Sequence, residues 1–177
     1  MTRIGLLSDT HGYLDKRVFE HFDCCDEIWH AGDIGSAELL QTLRKFRPTR
    51  AVFGNMDSGD VRYTLSEFYR FRVEQTDVLM THIGGYPGRY NPWLIPMFHR
   101  HAEAKASGRD TQKDNIDLFV CGHSHILKVM YDKQYGFLTM NPGAAGKQGW
   151  QTVQTLLRFA IDGKQIKDLE VIELERV

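Results

Sequence analysis

The stretch LLSDTHGYL, residues 6–14, decides how the rest of the chain is read. Its two leucines close a short apolar run, RIGLLS (3–8), that predicts a buried strand. That strand empties into an aspartate, a histidine and a glycine. Leu14, Val18 and Phe22, with Phe19 beside them, then recur at the spacing of one helix face. The pattern repeats downstream. EIWHAGD (27–33) predicts a second strand ending in a turn. Ser36 is placed as an N-cap, and Leu39, Leu40, Leu43 and Phe46 form a helical stripe that stops before Pro48. RAVFGN (50–55) predicts a third strand. Strand and helix alternating at this interval imply βαβ units and a parallel sheet.

Beyond residue 67 the punctuation changes. FYRFRV and DVLMTH predict strands, and PWLIPMFHRHAEAKASG (92–108) a helix with a proline near its start and Gly108 as C-cap. DLFVCGH (117–123) predicts a buried strand. ILKVMY, FLTMN, TLLRFAI and DLEVIEL follow as further strands, with Asp162-Gly163 signalling a hairpin between the last two. The expectation is one α/β domain over residues 1–177, with a parallel N-terminal half and a more antiparallel C-terminal half.

Composition narrows the function classes. The chain has 177 residues and a net charge of -1, so no strong field recruits nucleic acid or an anionic membrane. No apolar run reaches the length of a membrane-spanning helix, and the N-terminus lacks the pattern of a signal peptide. Cys24, Cys25 and Cys121 are an odd set with one adjacent pair, which argues for free thiols and a reducing, cytoplasmic setting.

The polar residues then fall into a pattern. The first strand ends in Asp9-Thr10-His11, the second in Gly32-Asp33, the third in Gly54-Asn55. DVLMTH ends in His82, and DLFVCGHSH in His123 and His125. In open α/β sheets, sites lie outside the carboxyl ends of the strands. Aspartate, asparagine and histidine together ligate first-row transition metals without a thiolate. Asp9, His11, Asp33, Asn55, His82, His123 and His125 are too many groups for one metal. They suit two metals sharing a carboxylate, an arrangement that clamps a phosphoryl group during in-line displacement. Each piece alone has an ordinary explanation as turn chemistry; the set of strand ends does not.

These blocks, D-x-H, G-D, G-N-Met56-Asp57, His82 and G-H-x-H, resemble the calcineurin-like metallophosphoesterase superfamily. Asn141-Pro142-Gly143 and the short chain resemble its small single-domain bacterial and archaeal phosphodiesterase branch. The resemblance implies a four-layer α-β-β-α sandwich, the metallo-dependent phosphatase fold, with both metals at one sheet edge. It implies that Asp9, His11 and His125 hold one divalent ion, that Asn55, His82 and His123 hold the other, and that Asp33 bridges them. Hydroxide between the ions would attack phosphorus, with Asn55 neutralising charge beside the metals. Manganese is the cation the family implies; iron, zinc and nickel suit the same ligands.

The sequence departs from the family at two places. Met56 stands where much of the superfamily has histidine and the small branch often has cysteine. A thioether has no proton to give a leaving group, and loss of general acid catalysis costs about 10²–10⁴-fold. Good leaving groups are therefore expected to be preferred. Asp57 is retained and is assigned an orienting role in catalysis. After His82 the chain reads Ile83-Gly84-Gly85 in place of the branch's usual H-G-[H/D]. Residues 84–93 are expected to form a loop over the metals, with Arg89 binding a phosphate oxygen and Tyr86, Tyr90 or Trp93 stacking on an organic group. The bland alternative is that these aromatics pack a helix onto the core or form a dimer contact. His30 sits near the site, either supporting it or simply hydrogen-bonded at a strand end. His21, His99 and His101 read as surface residues on helices, and Cys121 as core packing.

The expected activity is hydrolysis of a small or nucleotide-like phosphate ester, a phosphodiester first, with a homodimer as a family-level expectation. Two other classes compete. One is a non-catalytic protein-binding scaffold on the same fold, a lineage that has lost metal ligands. The other is a nuclease, against which the near-neutral charge and the absence of a basic run weigh.

Overall fold

The computed structural model describes residues 1–109 and 111–176. Its first half follows the periodicity: β1 (Thr2–Leu7), α1 (Arg17–Phe22), β2 (Glu27–His30), α2 (Ala37–Phe46) and β3 (Thr49–Ala51). The three strands are parallel neighbours, with Ile4 opposite Glu27 and Ile28 opposite Thr49. The Ser36 hydroxyl accepts from the Leu39 amide at 3.1 Å, capping α2. Strand β3 ends earlier than RAVFGN suggested, and Val52 makes only a lone parallel bridge to Ser66.

The chain continues through α3 (Gly59–Thr64), β4 (Phe68–Val73), β5 (Thr76–Thr81), β6 (Gly85–Tyr86), β7 (Arg89–Tyr90), a 3-10 turn (Pro92–Leu94) and α4 (Ile95–Ala106). It ends in β8 (Leu118–Val120), β9 (Leu127–Asp132), β10 (Phe137–Pro142), β11 (Val153–Asp162) and β12 (Gln165–Glu175). Helix α3 and the small β6–β7 hairpin were not anticipated; both are too short to print a periodic stripe.

Two sheets form, in the orders β12-β11-β1-β2-β3 and β4-β5-β8-β10-β9. The N-terminal strands are parallel and the later ones more antiparallel, as expected, but the later strands also include parallel pairs inside the second sheet. The first sheet is parallel from β1 out to its β3 edge and antiparallel on the β11–β12 side. In the second sheet β5, β8 and β10 run parallel, while β4 and β9 flank them antiparallel. In the first, β11 returns to pair antiparallel with β1, Thr2 opposite Ile161. The edge of β1 satisfies the backbone of β11, while the hairpin's apolar side chains enter the core between the sheets (Phe159, Ile161) and the layer under α1 and α2 (Leu156, Ile172).

Side-chain alternation makes the layers. Ile4, Leu6, Trp29, Phe159 and Ile161 from the first sheet meet Phe71, Val78, Met80, Val120 and Met140 from the second in the central core. The opposite face of the first sheet sends Leu7, Ile28 and Leu156 against Val18, Phe22, Leu39, Leu40 and Leu43 of α1 and α2. The second sheet sends Leu79, Phe119 and Phe137 against Leu94 and Phe98 of the 3-10 turn and α4. The result is the α-β-β-α sandwich in four layers.

One expectation about surface histidines fails. His101 is buried on α4; the Ile116 amide donates to its Nδ1 at 3.0 Å and Nε2 donates to the Tyr135 carbonyl at 3.1 Å. A half-apolar helix face does not reveal which polar ring will find partners from a neighbouring loop.

Candidate metal centre

The loops that follow β1, β2, β3, β5 and β8 meet at one end of the sandwich. They come from both sheets, so the centre lies across the shared carboxyl ends and not along one sheet edge. Two groups of ligand atoms form there: Asp9, His11 and His125, and Asp33, His82 and His123, with the atoms of each group within 4.8 Å of one another. The groups are contiguous. His82 Nε2 of the second group lies 3.7 Å from Asp9 Oδ1 of the first. Asp33 Oδ2 lies 3.1 Å from His82 Nε2 and 3.8 Å from His11 Nε2, so this carboxylate faces both groups.

The local backbone is bent to deliver these side chains. Asp9, His11, Asp33, His123 and His125 all adopt the left-handed region, with φ of 55°, 47°, 52°, 69° and 57°. Such conformations cost about 1–3 kcal/mol each for non-glycine residues and cluster at functional sites. Two glycines make the approach feasible. At Gly32, φ is +96° and an added Cβ would sit 2.6 Å from the His82 ring. At Gly54 an added Cβ would sit 2.1 Å from Asp33 Oδ1.

Hydrogen bonds fix each group. The Ser8 hydroxyl and the His123 amide both donate to Asp9 Oδ2, at 2.6 and 3.0 Å. The Met56 amide donates to Asp33 Oδ1 at 2.8 Å. His82 Nδ1 donates to the Ala31 carbonyl at 2.7 Å, which turns Nε2 toward the carboxylates. Asp9 Oδ1 and His82 Nε2 are nevertheless buried without a hydrogen-bond partner. Their contacts with His125 (3.1 Å) and with Asp33 (3.1 Å) are charge contacts lacking hydrogen-bond alignment. Unpartnered buried polar atoms are costly, and these two face the middle of the ligand set. The donor atoms are imidazole nitrogens and carboxylate oxygens, so the residues fit divalent first-row cations.

Electrostatics follow from the crowding. Burial pushes the Asp9 carboxyl up, but His125, His82 and Ser8 outweigh it and leave it below its ordinary value. Burial likewise opposes, and the His82 imidazole overcomes, in the lowering of Asp33. Burial disfavours a charged His82, yet Asp33 and Asp9 raise it; contact with Asp9 raises His125. His123 is lowered by burial and by His82.

The remaining expected residues separate into groups. Asn55 is exposed, beside Gly54 and His82 in a cavity of about 170 Å³ that Arg62 and Glu67 also line. Asp57 is buried, and its carboxylate accepts the backbone amides of Ile34 (3.1 Å), Gly35 (2.8 Å) and Gly54 (2.8 Å). It ties the Asp33 loop to the Asn55 loop and acts through them. Met56 is 65% exposed. Arg89 is exposed on β7 and lines a larger cavity of about 340 Å³ that reaches His123. Tyr90 is committed to the fold, its hydroxyl donating to Asp132 Oδ2 at 2.6 Å and its ring packed on Phe98. Trp93 packs toward Phe68, and Tyr86 lines the larger cavity.

Two supporting residues were only half legible. His30 Nδ1 accepts the Gly32 amide at 3.2 Å and Nε2 donates to Thr10 Oγ1 at 2.9 Å, bracing the residue between Asp9 and His11. Asn141 donates to the Gly122 carbonyl at 2.8 Å and to Ser124 Oγ at 3.0 Å, holding the loop that carries His123 and His125.

A family model for the calcineurin-like phosphoesterase superfamily domain matches residues 2–164. The chain belongs to this superfamily. A probable metallophosphoesterase of Methanocaldococcus jannaschii is 44% identical over 146 residues, covering 80% of this chain and 67% of that protein. A second, from Methanothermobacter thermautotrophicus, is 39% identical over 79 residues, 40% of this chain and 46% of its own length. The fold is shared with Vps29 of Chaetomium thermophilum (TM-score 0.69, 13% identity, 98% of this chain and 95% of that one). It is also shared with a metallophosphoesterase of Sphaerobacter thermophilus (TM-score 0.61, 18% identity, 98% and 88%). Among the described residues no helix is long and apolar enough to cross a membrane.

Proposed function

We propose that this superfamily member is a metal-dependent phosphoesterase, and first a phosphodiesterase, acting on a small or nucleotide-like phosphate ester. The observation that carries this reading is the convergence of two carboxylates and four imidazoles on one point, with Asp9 Oδ1 and His82 Nε2 buried and unpartnered. Asp9, His11 and His125 would hold one divalent cation; Asn55, His82 and His123 the other, with Asp33 between them. Bound there, the cations would supply Lewis-acid neutralisation of the phosphoryl oxygens and a water of lowered pKa. Manganese is the first candidate, with iron, zinc and nickel suited to the same donors.

The chain's own groups divide the remaining work. The Met56 amide and the Asp57 carboxylate hold the Asp33 and Asn55 loops in place. The Asn55 amide and the Arg89 guanidinium are exposed donors beside the centre, suited to phosphoryl oxygens. Met56 brings no proton, so leaving groups of low pKa are expected to react fastest.

The test is hydrolysis of bis-p-nitrophenyl phosphate by metal-stripped protein with Mn²⁺ restored, beside Asp33→Asn. Manganese-dependent turnover lost in the mutant is the expected result. Folded protein inert with manganese, iron, zinc and nickel alike would overturn the hydrolytic reading and favour a protein-binding scaffold.

A further inference from the structure

Two cavities adjoin the centre, and they differ in chemistry. They share Ile83, which follows the ligand His82; the smaller is lined by His82 itself and the larger by His123. The smaller, about 170 Å³, offers Asn55, Arg62, Glu67 and Thr81. Phe53 carries the Arg62 guanidinium 4.3 Å from its ring centroid, and the other side chains of this cavity are mostly polar. The larger, about 340 Å³, is walled by Ile83, Tyr86, Tyr90, Pro92 and Ile126.

The polar groups of the larger cavity are mostly spent. Asn141 holds Gly122 and Ser124, and Thr139 lies 3.2 Å from the Tyr90 hydroxyl. Its lining carries two cations, Arg89 and Lys128, and the Lys128 ammonium lies over one face of the Tyr86 ring, 3.5 Å from its centroid. Tyr86 and Arg89 are directly paired across the β6–β7 hairpin. An apolar chamber with a cationic wall, opening on a metal-ligand histidine, suits an anion that carries a flat apolar group. A cavity of about 150 Å³ already admits benzene, so this one has room for a bicyclic ring.

We infer that the substrate is a phosphodiester with one aromatic or nucleobase-like arm, lodged between the Tyr86 hairpin and Ile126, while the phosphate faces His123. The inference rests on the phosphoesterase reading above and assigns the specificity of the same site. Arg89 and Lys128 draw the anion toward the centre, and the apolar walls discriminate by the size of the arm.

The test uses ligands with no ester to cleave: 1-naphthylmethylphosphonate and methylphosphonate, titrated calorimetrically into the Mn²⁺-loaded protein. The naphthyl compound should bind at least about tenfold more tightly. That ratio should collapse toward one in Tyr86→Ala and in Ile126→Trp, which fills the chamber from an exposed position. Far-ultraviolet circular dichroism of both variants confirms folding. Equal binding of the two phosphonates, or a ratio unmoved by both substitutions, overturns the assignment even if bis-p-nitrophenyl phosphate is turned over. Selectivity that persists in a protein inert toward that ester supports the chamber and defeats the hydrolytic reading.

Discussion

Replacing Asp57 with alanine removes the acceptor of three backbone amides at once, those of Ile34, Gly35 and Gly54. The side chain is 4% exposed, so little water can take its place. Hydrogen bonds to a charged group contribute about 1.5–3 kcal/mol each, and an orphaned buried donor costs about 1–3 kcal/mol. Three such losses are not additive, because the two loops separate together and one rehydrates as the other moves. The expected destabilisation is about 3–5 kcal/mol, a large share of the total stability of an ordinary domain. Asp57→Asn keeps one carbonyl oxygen but turns an NH₂ toward the amides, and should lose about half as much. Urea unfolding of the metal-free proteins measures the difference. Because the same carboxylate positions the Asp33 and Asn55 loops, affinity for Mn²⁺ should also fall, by about 10–100-fold. An alanine variant within about 1 kcal/mol of the parent would show that the loops hold each other without Asp57, and the reasoning would be wrong.

Three further outcomes are expected. His30 is fully buried, and burial, only partly opposed by nearby carboxylates, pushes its pKa down to about 4 from 6.5. The unfolded chain therefore binds the extra proton first, and stability falls as pH drops from about 6.5 to about 4, by up to about 3 kcal/mol. Urea midpoints of the metal-free protein and of His30→Gln should diverge across that window; parallel profiles would refute the shift. Chelation should lower the thermal midpoint and Mn²⁺ should restore it, by about 2.7 kcal/mol at a hundredfold excess over Kd for one site, an increment that Asp9→Asn loses in scanning calorimetry. Arg89→Ala, on an exposed hairpin strand, should raise KM for a phosphoester several-fold and leave the unfolding midpoint unchanged; an unaltered KM removes Arg89 from substrate binding.

What could be read from the sequence was local. The short apolar run of RIGLLS, the period of 3.6 in Leu39–Phe46 and the Ser36 cap each depend on neighbours along the chain, so β1, β2, α1 and α2 were legible. So were the strand-end residues: Asp9, His11, Asp33, His82, His123 and His125 stand out because turns after strands gather them, and the structure brings all six together. Long-range pairing decided the rest. No local signal says that β11 will cross back to lie beside β1, or that β5, β8 and β10 will run parallel inside the second sheet. The same holds for side chains whose partners are distant. Asp57 reads as an orienting residue, but what it orients is decided only when Ile34 and Gly35 are brought against it across 23 and 22 positions of chain. His101 reads as surface until Ile116 and Tyr135 close over it, and Tyr90 as a stacking platform until Asp132 takes its hydroxyl. Sequence fixes which chemistry each strand end can offer; only the packing of the two sheets decides which of those groups face one another, because burial and orphaned hydrogen bonds are properties of the assembled whole.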